Sequence, residues 1–256
     1  MTEALLFVLC GILSGLLGGY LGIGGGVITV PFLTIILGID IAYAVPASVI
    51  SIIITSFASS NEYLKKGMVD LELVVLLSAF MVLGNIVGSG MSPFIPKLWI
   101  QLLLGLLLIY TAFSLLRTRK EKSQLSFQDN RVKYIVICTL LAFLTGSLSG
   151  LLGIGGGAIL VPLLHLVIGV PLTAARGTSA LMIGSSSAAA AAVYFFGGMV
   201  NVAIAAPVAF GAVLGGKLGG LAGTVAKPLI VKIIFFVVML YLAWKLGMPA
   251  VQEAFQ

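Results

Sequence analysis

The chain has 256 residues, of which 60% are hydrophobic and 9% charged, with a formal net charge of +6. Soluble domains carry about a quarter charged residues, so a chain with a mean hydropathy of +1.22 cannot cover its own surface in water, and lipid must be its solvent. Nor does the positive charge point to nucleic acid. Arg117, Arg119, Lys120, Lys122, Arg131 and Lys133 fall in one hydrophilic segment between apolar stretches, the positive-inside pattern of a cytoplasmic loop.

A helix crossing the hydrocarbon layer needs about 20 apolar residues. In chain order the sequence predicts such helices at Ala4–Tyr20, Ile41–Ser60, Leu73–Met91, Leu98–Leu116, Tyr134–Gly153, Leu172–Phe196, Val202–Leu221 and Leu229–Leu246. Two shorter apolar runs, Gly26–Leu37 and Gly157–Ile168, predict short broken or re-entrant helices. The runs are continuous rather than alternating, which excludes a membrane β-barrel. The expectation is an all-α polytopic membrane protein. Met1-Thr2-Glu3 lacks the basic start of a cleavable leader, so the first helix is expected to remain. Cys10 and Cys138 lie inside apolar stretches, where a disulfide framework is not expected.

The chain contains itself twice. LGIGGGVITVPFL at Leu21–Leu33 recurs as LGIGGGAILVPLL at Leu152–Leu164, a shift of 131 from 21 to 152. The same ungapped shift pairs Ser48 with Ser179, Tyr63 with Tyr194, and Gly67-Met68-Val69 with Gly198-Met199-Val200. Such duplication marks transporter folds. It divides the chain into a first transmembrane repeat at 1–116, a basic cytoplasmic linker at 117–133 and a second repeat at 134–256. If each repeat crosses five times, the halves are inverted, and twelve of the 14 basic residues gather on the linker side. Four crossings each would make the halves parallel and spread the charge more evenly. The bias favours ten segments in inverted halves.

Gly24-Gly25-Gly26 and Gly155-Gly156-Gly157 stand between a full-length helix and a short run. Glycine runs break helices, and irregular backbone at membrane depth survives only inside protein or around a cavity. Each short run begins a helix there, offering unpaired N–H groups and a positive dipole end. Two such ends facing one centre suit an anion; the plainer alternative is close packing. Arg176 is the only arginine inside an apolar segment. Its fork fits carboxylate or sulfonate oxygens, unless it snorkels at a helix end. Ser48, Thr178 and Ser179 either donate to the anion or bond carbonyls within their helices, and Thr55-Ser56 and Ser185-Ser186-Ser187 extend that polar stripe. The substrate-binding set is therefore Gly24, Gly25, Gly26, Ser48, Gly155, Gly156, Gly157, Arg176, Thr178 and Ser179.

These residues carry a resemblance. The paired LGIGGG…VP motifs, ARGTSAL at Ala175–Leu181 and GMVD at Gly67–Asp70 resemble the TauE/SafE family of membrane permeases, over nearly the whole chain. The resemblance implies alternating-access transport of a sulfur-containing or organic anion, such as sulfite, thiosulfate or a sulfonate, across the bacterial inner membrane. One departure stands out. The first half has Val45-Pro46-Ala47-Ser48 where a TSL-like tripeptide is expected, so the halves contribute unequally and substrate identity does not carry over.

Other features argue against chemistry. His165 is the only histidine and has no ligand neighbours in sequence, so no metal site is expected. Asp70 and Asn201 precede apolar runs as N-caps. Gly211–Leu218 nearly matches a phosphate-binding loop but lacks its Ser/Thr. It continues as Gly211, Gly215, Gly219 and Gly223, a close-packing stripe with Gly84 and Gly88 opposite in the repeat; Gly11, Gly15 and Gly19, matched by Ala142, Gly146 and Gly150, form another. No cofactor and no enzyme activity are expected. An anion channel or a membrane-embedded enzyme are the competing readings, and a proton or sodium ion is the coupling partner left open.

Overall fold

The computed structural model describes residues 2–116, 131–225, 236–242 and 244–245. The joint at 117–130 and half of the stretch expected at Leu229–Leu246 lie outside them. Among the described residues the chain is helical, without strands. Helix α1 spans Thr2–Leu21, α2 Gly26–Pro31, α3 Ile41–Lys65, α4 Leu71–Met91 and α5 Lys97–Leu116. In the second half, α6 spans Arg131–Leu152, α7 Gly157–Pro162, α8 Leu172–Phe196 and α9 Val202–Val225. The bounds of α2 and α7, and of α3 and α8, differ by the repeat shift of 131. A last helical stretch at 236–242 packs Phe236 edge-on against Phe113 of α5.

Local chemistry sets these boundaries. Asp40 caps α3 by accepting from the Ala42 N–H at 2.9 Å, Asp70 caps α4 through the Leu73 N–H at 3.1 Å, and Asn201 accepts from Ala203 at 3.0 Å. Pro31 and Pro162 close α2 and α7, and each helix then widens into a π-helical turn, Phe32–Ile36 and Leu163–Ile168. A proline has no N–H for the i−4 carbonyl, and the wider i−5 pattern that follows is a known response to such a break. In the first half it closes with the Leu37 N–H on the Phe32 carbonyl at 3.3 Å. His165, in the second π turn, bonds the Val170 carbonyl through Nδ1 at 2.9 Å, a local tie.

The halves interlock. α1 makes its most extensive contact with α9, and α6 with α4. At the first seam, Gly11, Gly15 and Gly19 lie against the backbone of Val208, Ala212 and Gly216, while Gly211, Gly215 and Gly219 lie on the carbonyls of Val8, Ile12 and Leu16. Backbones this close are what small residues permit in lipid. The segment resembling a phosphate loop is thus the middle of a continuous helix. At the second seam Gly84 and Gly88 meet Phe143 and Ser147, and Gly146 and Gly150 meet Met81 and Asn85.

These pairings also fix direction. Numbers rise together along α1 and α9, and along α4 and α6, so each pair is parallel. Along α3 and α8 they run oppositely, Gly177 against Tyr63 and Gly184 against Ser56. Helices α3 and α9 run parallel, with Gly216 on Thr55 and Gly220 on Ser59. Counterpart helices of the two halves therefore point in opposite directions about a near two-fold axis at the α3–α8 crossing.

Among the described residues six helices are long and apolar enough to cross a membrane, including Ile41–Lys65 and Leu172–Phe196. Val75, Phe94, Phe196 and Leu106 are among the large apolar side chains left outward-facing, as lipid contact requires. The geometry gives a labelling result to expect. With Cys10 and Cys138 replaced, Lys66→Cys should react with an impermeant maleimide from the cytoplasmic side and Phe196→Cys only from the opposite one. Reaction of both from one side would exclude this arrangement.

Candidate functional site

The two glycine loops end α1 and α6 and meet at the molecular centre. Gly22, Gly24 and Gly25, with φ of 71°, 85° and 85°, turn the chain through the left-handed region, which glycine enters without steric cost. The Gly25 carbonyl accepts from the Ile28 and Thr29 N–H groups at 2.9 and 3.0 Å, and Gly156 does the same for Ile159 and Leu160. Among the described residues the N–H groups of Gly26, Val27, Gly157 and Ala158 find no backbone acceptor. Helix α2 with its π turn runs to Ile36, so these N–H groups stand at the positive end of a continuous short helix.

Each loop touches the other across the axis. Gly26 lies against Gly153 and Ile154, and Gly157 against Gly22 and Ile23. A Cβ on Gly24 would stand 3.0 Å from Cγ2 of both Ile52 and Ile183, and one on Gly155 would stand 3.1 and 3.0 Å from the same methyls. These isoleucines are repeat counterparts and are wholly buried. Together with the two glycines they form an apolar plug where α3 and α8 cross. Gly25 and Gly156 face outward from it, towards Ser14 of α1 and towards Met81, Thr145 and Ser149 respectively. The structure thus gathers Gly24, Gly26, Gly155 and Gly157, while Gly25 and Gly156 back onto the seams.

Several of the hydroxyls bond beyond their own helices. Ser48 donates to the Gly153 carbonyl at 2.6 Å, and Ser179 to the Gly22 carbonyl at 2.9 Å. Each thereby clamps the loop of the opposite half. Tyr63 donates to the Tyr20 carbonyl at 3.0 Å and Tyr194 to Gly150 at 2.6 Å, bracing the last turn of α1 and α6. Thr178 accepts from the Asp70 N–H at 2.9 Å. Ser185 and Ser186 bond carbonyls of α8. Thr55 and Ser56 are both buried without a hydrogen-bond partner. Ser56 Oγ would lie 3.4 Å from a Cβ on Gly24, so it faces the loop.

Arg176 breaks the symmetry, because its counterpart is Val45. Both pack their backbones on the opposite loop, Arg176 on Gly22 and Val45 on Gly153. The arginine is 3% exposed, its Nη2 has no hydrogen-bond partner, and its guanidinium lies 5.4 Å from the centroid of the Tyr20 ring. It is a buried cation rather than a snorkelling one. The two ion pairs among the described residues lie elsewhere, Glu62 with Lys65 and Asp40 with Lys97. The latter joins the start of α3 to that of α5 on the face opposite Arg176. Its hydrogen bond from Lys97, with that from Ala42, holds the Asp40 carboxyl below its usual range.

All but the first few described residues, from within α1 to the last helical stretch, fall within one known sequence pattern. The family model "Sulfite exporter TauE/SafE" matches residues 7–246. The chain belongs to the TauE/SafE family. A relative from Xylella fastidiosa, "Probable membrane transporter protein", is 29% identical, over 93% of this chain and 92% of its own length. "Probable membrane transporter protein YunE" from Bacillus subtilis is 27% identical over 86% and 88%. A plant relative, "Sulfite exporter TauE/SafE family protein 5" from Arabidopsis thaliana, is 33% identical over 43% of this chain and 24% of its own length. No solved structure matches the chain. As a TauE/SafE protein it is a multi-pass membrane protein of a transporter family. Among its described residues no three His, Cys, Asp or Glu side chains gather as a ligand set for a metal ion.

Proposed function

We propose that this TauE/SafE protein is a secondary transporter of a small sulfur-containing or organic anion, working by alternating access in the bacterial inner membrane and performing no catalysis. The observation that carries this reading is the meeting of two inward-facing helix starts at a buried centre, with one unpaired cation beside them. Two helix ends supply about half a positive charge each, and Arg176 supplies a full one that no carboxylate neutralises among the described residues. Intramembrane cations without partners mark substrate paths. The isoleucine plug closes the centre from both sides, so an anion reaches the loop N–H groups only when α3 and α8 rock about their crossing. Arg176 then lies on one side of the plug and greets the anion from one face only.

Ser48 and Ser179 serve here as clamps that hold the loops, and Ser56 takes the place of a hydroxyl donor at the site. The test is flux in proteoliposomes with sulfite, thiosulfate, a small sulfonate and chloride. Saturable movement of one sulfur oxyanion or sulfonate, faster than chloride, is expected. Conductance at channel rates, or no anion movement at all, would overturn the reading.

A further inference from the structure

One cluster of polar side chains has no part in the plug. On α4, Met81, Asn85 and Ser89 follow at four-residue spacing and share one face, and all three are buried. On α6, Thr145 and Ser149 are 2% and 1% exposed. A Cβ on Gly156 would meet Met81 Cε at 2.9 Å, Thr145 Cγ2 at 3.0 Å and Ser149 Cβ at 3.2 Å. Met81 and the two α6 residues therefore meet directly behind the second glycine loop, and Asn85 and Ser89 continue along α4 beside Gly146 and Gly150 of α6.

The cluster exists in one half only. The counterparts of Asn85, Ser89, Thr145 and Ser149 are Gly216, Gly220, Ser14 and Gly18. Glycine suffices at three of these four equivalent positions, so packing does not require the polar groups there. Asn85 is 1% exposed and donates through Nδ2 to the Met81 carbonyl at 3.3 Å. A flipped amide would set Oδ1 against that carbonyl oxygen, which fixes the amide and leaves Oδ1 as the buried atom without a partner. Ser89 spends its proton on the Asn85 carbonyl at 2.6 Å and keeps its oxygen lone pairs.

We propose that Asn85, Ser89, Thr145 and Ser149 form a sodium site that couples to anion movement. Every donor is a neutral oxygen. Calcium and magnesium sites draw on carboxylates, and none of the four side chains titrates in a range that would carry a proton. A monovalent hard cation remains. Behind Gly156, its charge adds to the positive start of α7, so each ion raises the affinity for the other. The coupling rests on the anion-transport reading; the binding does not.

Binding is therefore measured with no substrate anion, on purified protein in gluconate salts at constant ionic strength. The melting temperature should rise by several degrees, saturably, as sodium replaces potassium or choline, since a ligand of the folded state stabilises it. Asn85→Leu and Ser149→Ala should lose this response. Thr139→Val, where the hydroxyl bonds the Val136 carbonyl of α6 in an exposed position, and Asn85→Asp, which keeps the oxygen, should retain it. If Asn85→Leu fails to fold, Ser149→Ala gives the reading. Equal melting in all three salts, or an unchanged sodium response in Ser149→Ala, would overturn the site. Sodium binding with no sulfite flux in vesicles would leave the site standing and remove the transport reading. Sulfite flux with no sodium response would do the reverse.

Discussion

Gly26→Ala is expected to abolish anion flux and to lower the melting temperature, although alanine is the better helix former. The added Cβ would strike the Gly153 carbonyl, stand 2.5 Å from Ile52 Cδ1 and lie 2.8 Å from Ile154 Cα. Two of these neighbours are backbone of the opposite loop and cannot rotate away. Overpacking of this kind costs about 1–3 kcal/mol, and here the strain falls on the contact that holds the halves together. Two controls separate the clash from other effects of losing glycine. Gly38 has φ of 67° and open space around its Cβ position, so Gly38→Ala should cost about 1–2 kcal/mol through the left-handed backbone alone and keep flux. Gly90 has neither constraint, and in the exposed part of α4 its alanine should stabilise by about 0.5–1 kcal/mol. Thermal melts and vesicle flux on all three variants check the order. Normal flux in Gly26→Ala would show that the loops do not work as one tight centre.

For Arg176 the expected result is a divergence between two measurements. Arg176→Gln should cut flux by about 100-fold while leaving the melting temperature equal or higher, because removing a buried unpaired charge is often neutral or stabilising. Arg176→Lys keeps the charge without the planar fork and should retain part of the flux. Its contact with Tyr20 explains how the cation is tolerated meanwhile, since an aromatic face offers modest attraction to a desolvated guanidinium. A purely structural arginine would give the opposite pattern, a lower melting temperature with flux preserved. That outcome would leave the anion to the loop N–H groups and Ser56.

Much of this architecture was legible as pattern. The glycine triplets marked the starts of α2 and α7, because three successive glycines stop a helix wherever they occur, whereas the change to π turns after Pro31 and Pro162 was not read. The stripes Gly11–Gly15–Gly19 and Gly211–Gly215–Gly219 announced tight seams, since four-residue spacing puts them on one helical face. Asp70 and Asn201 were readable as caps from residue type alone. The partners of those seams were not readable. Helical periodicity says that α1 has a small-residue face and nothing about its lying on α9. For the same reason Ser48 and Ser179 read as open donors or intrahelical bonds, whereas each reaches across the axis to the other half's loop. Ile52 and Ile183 were invisible among many isoleucines; only the crossing of α3 and α8 gives them a role. Asn85 carried one usable signal, its mismatch with Gly216 beside the matching pairs Gly84–Gly215 and Gly88–Gly219.

The exchange of α1 and α6 between halves has a consequence for how the chain is made. The glycine face of α1 is covered by α9, roughly 200 residues later in the sequence. Translation adds about 5–20 residues per second, so the nascent α1 waits on the order of 10–40 s with that face against lipid or an insertion chaperone. Helix α6, by contrast, finds α4 already in place. A ribosome that stalls after α5 therefore leaves a half with its main seam bare, and such a fragment is a natural client for membrane quality control. Two half-chains made separately have the same pairing rules, and each can complete the other's seam.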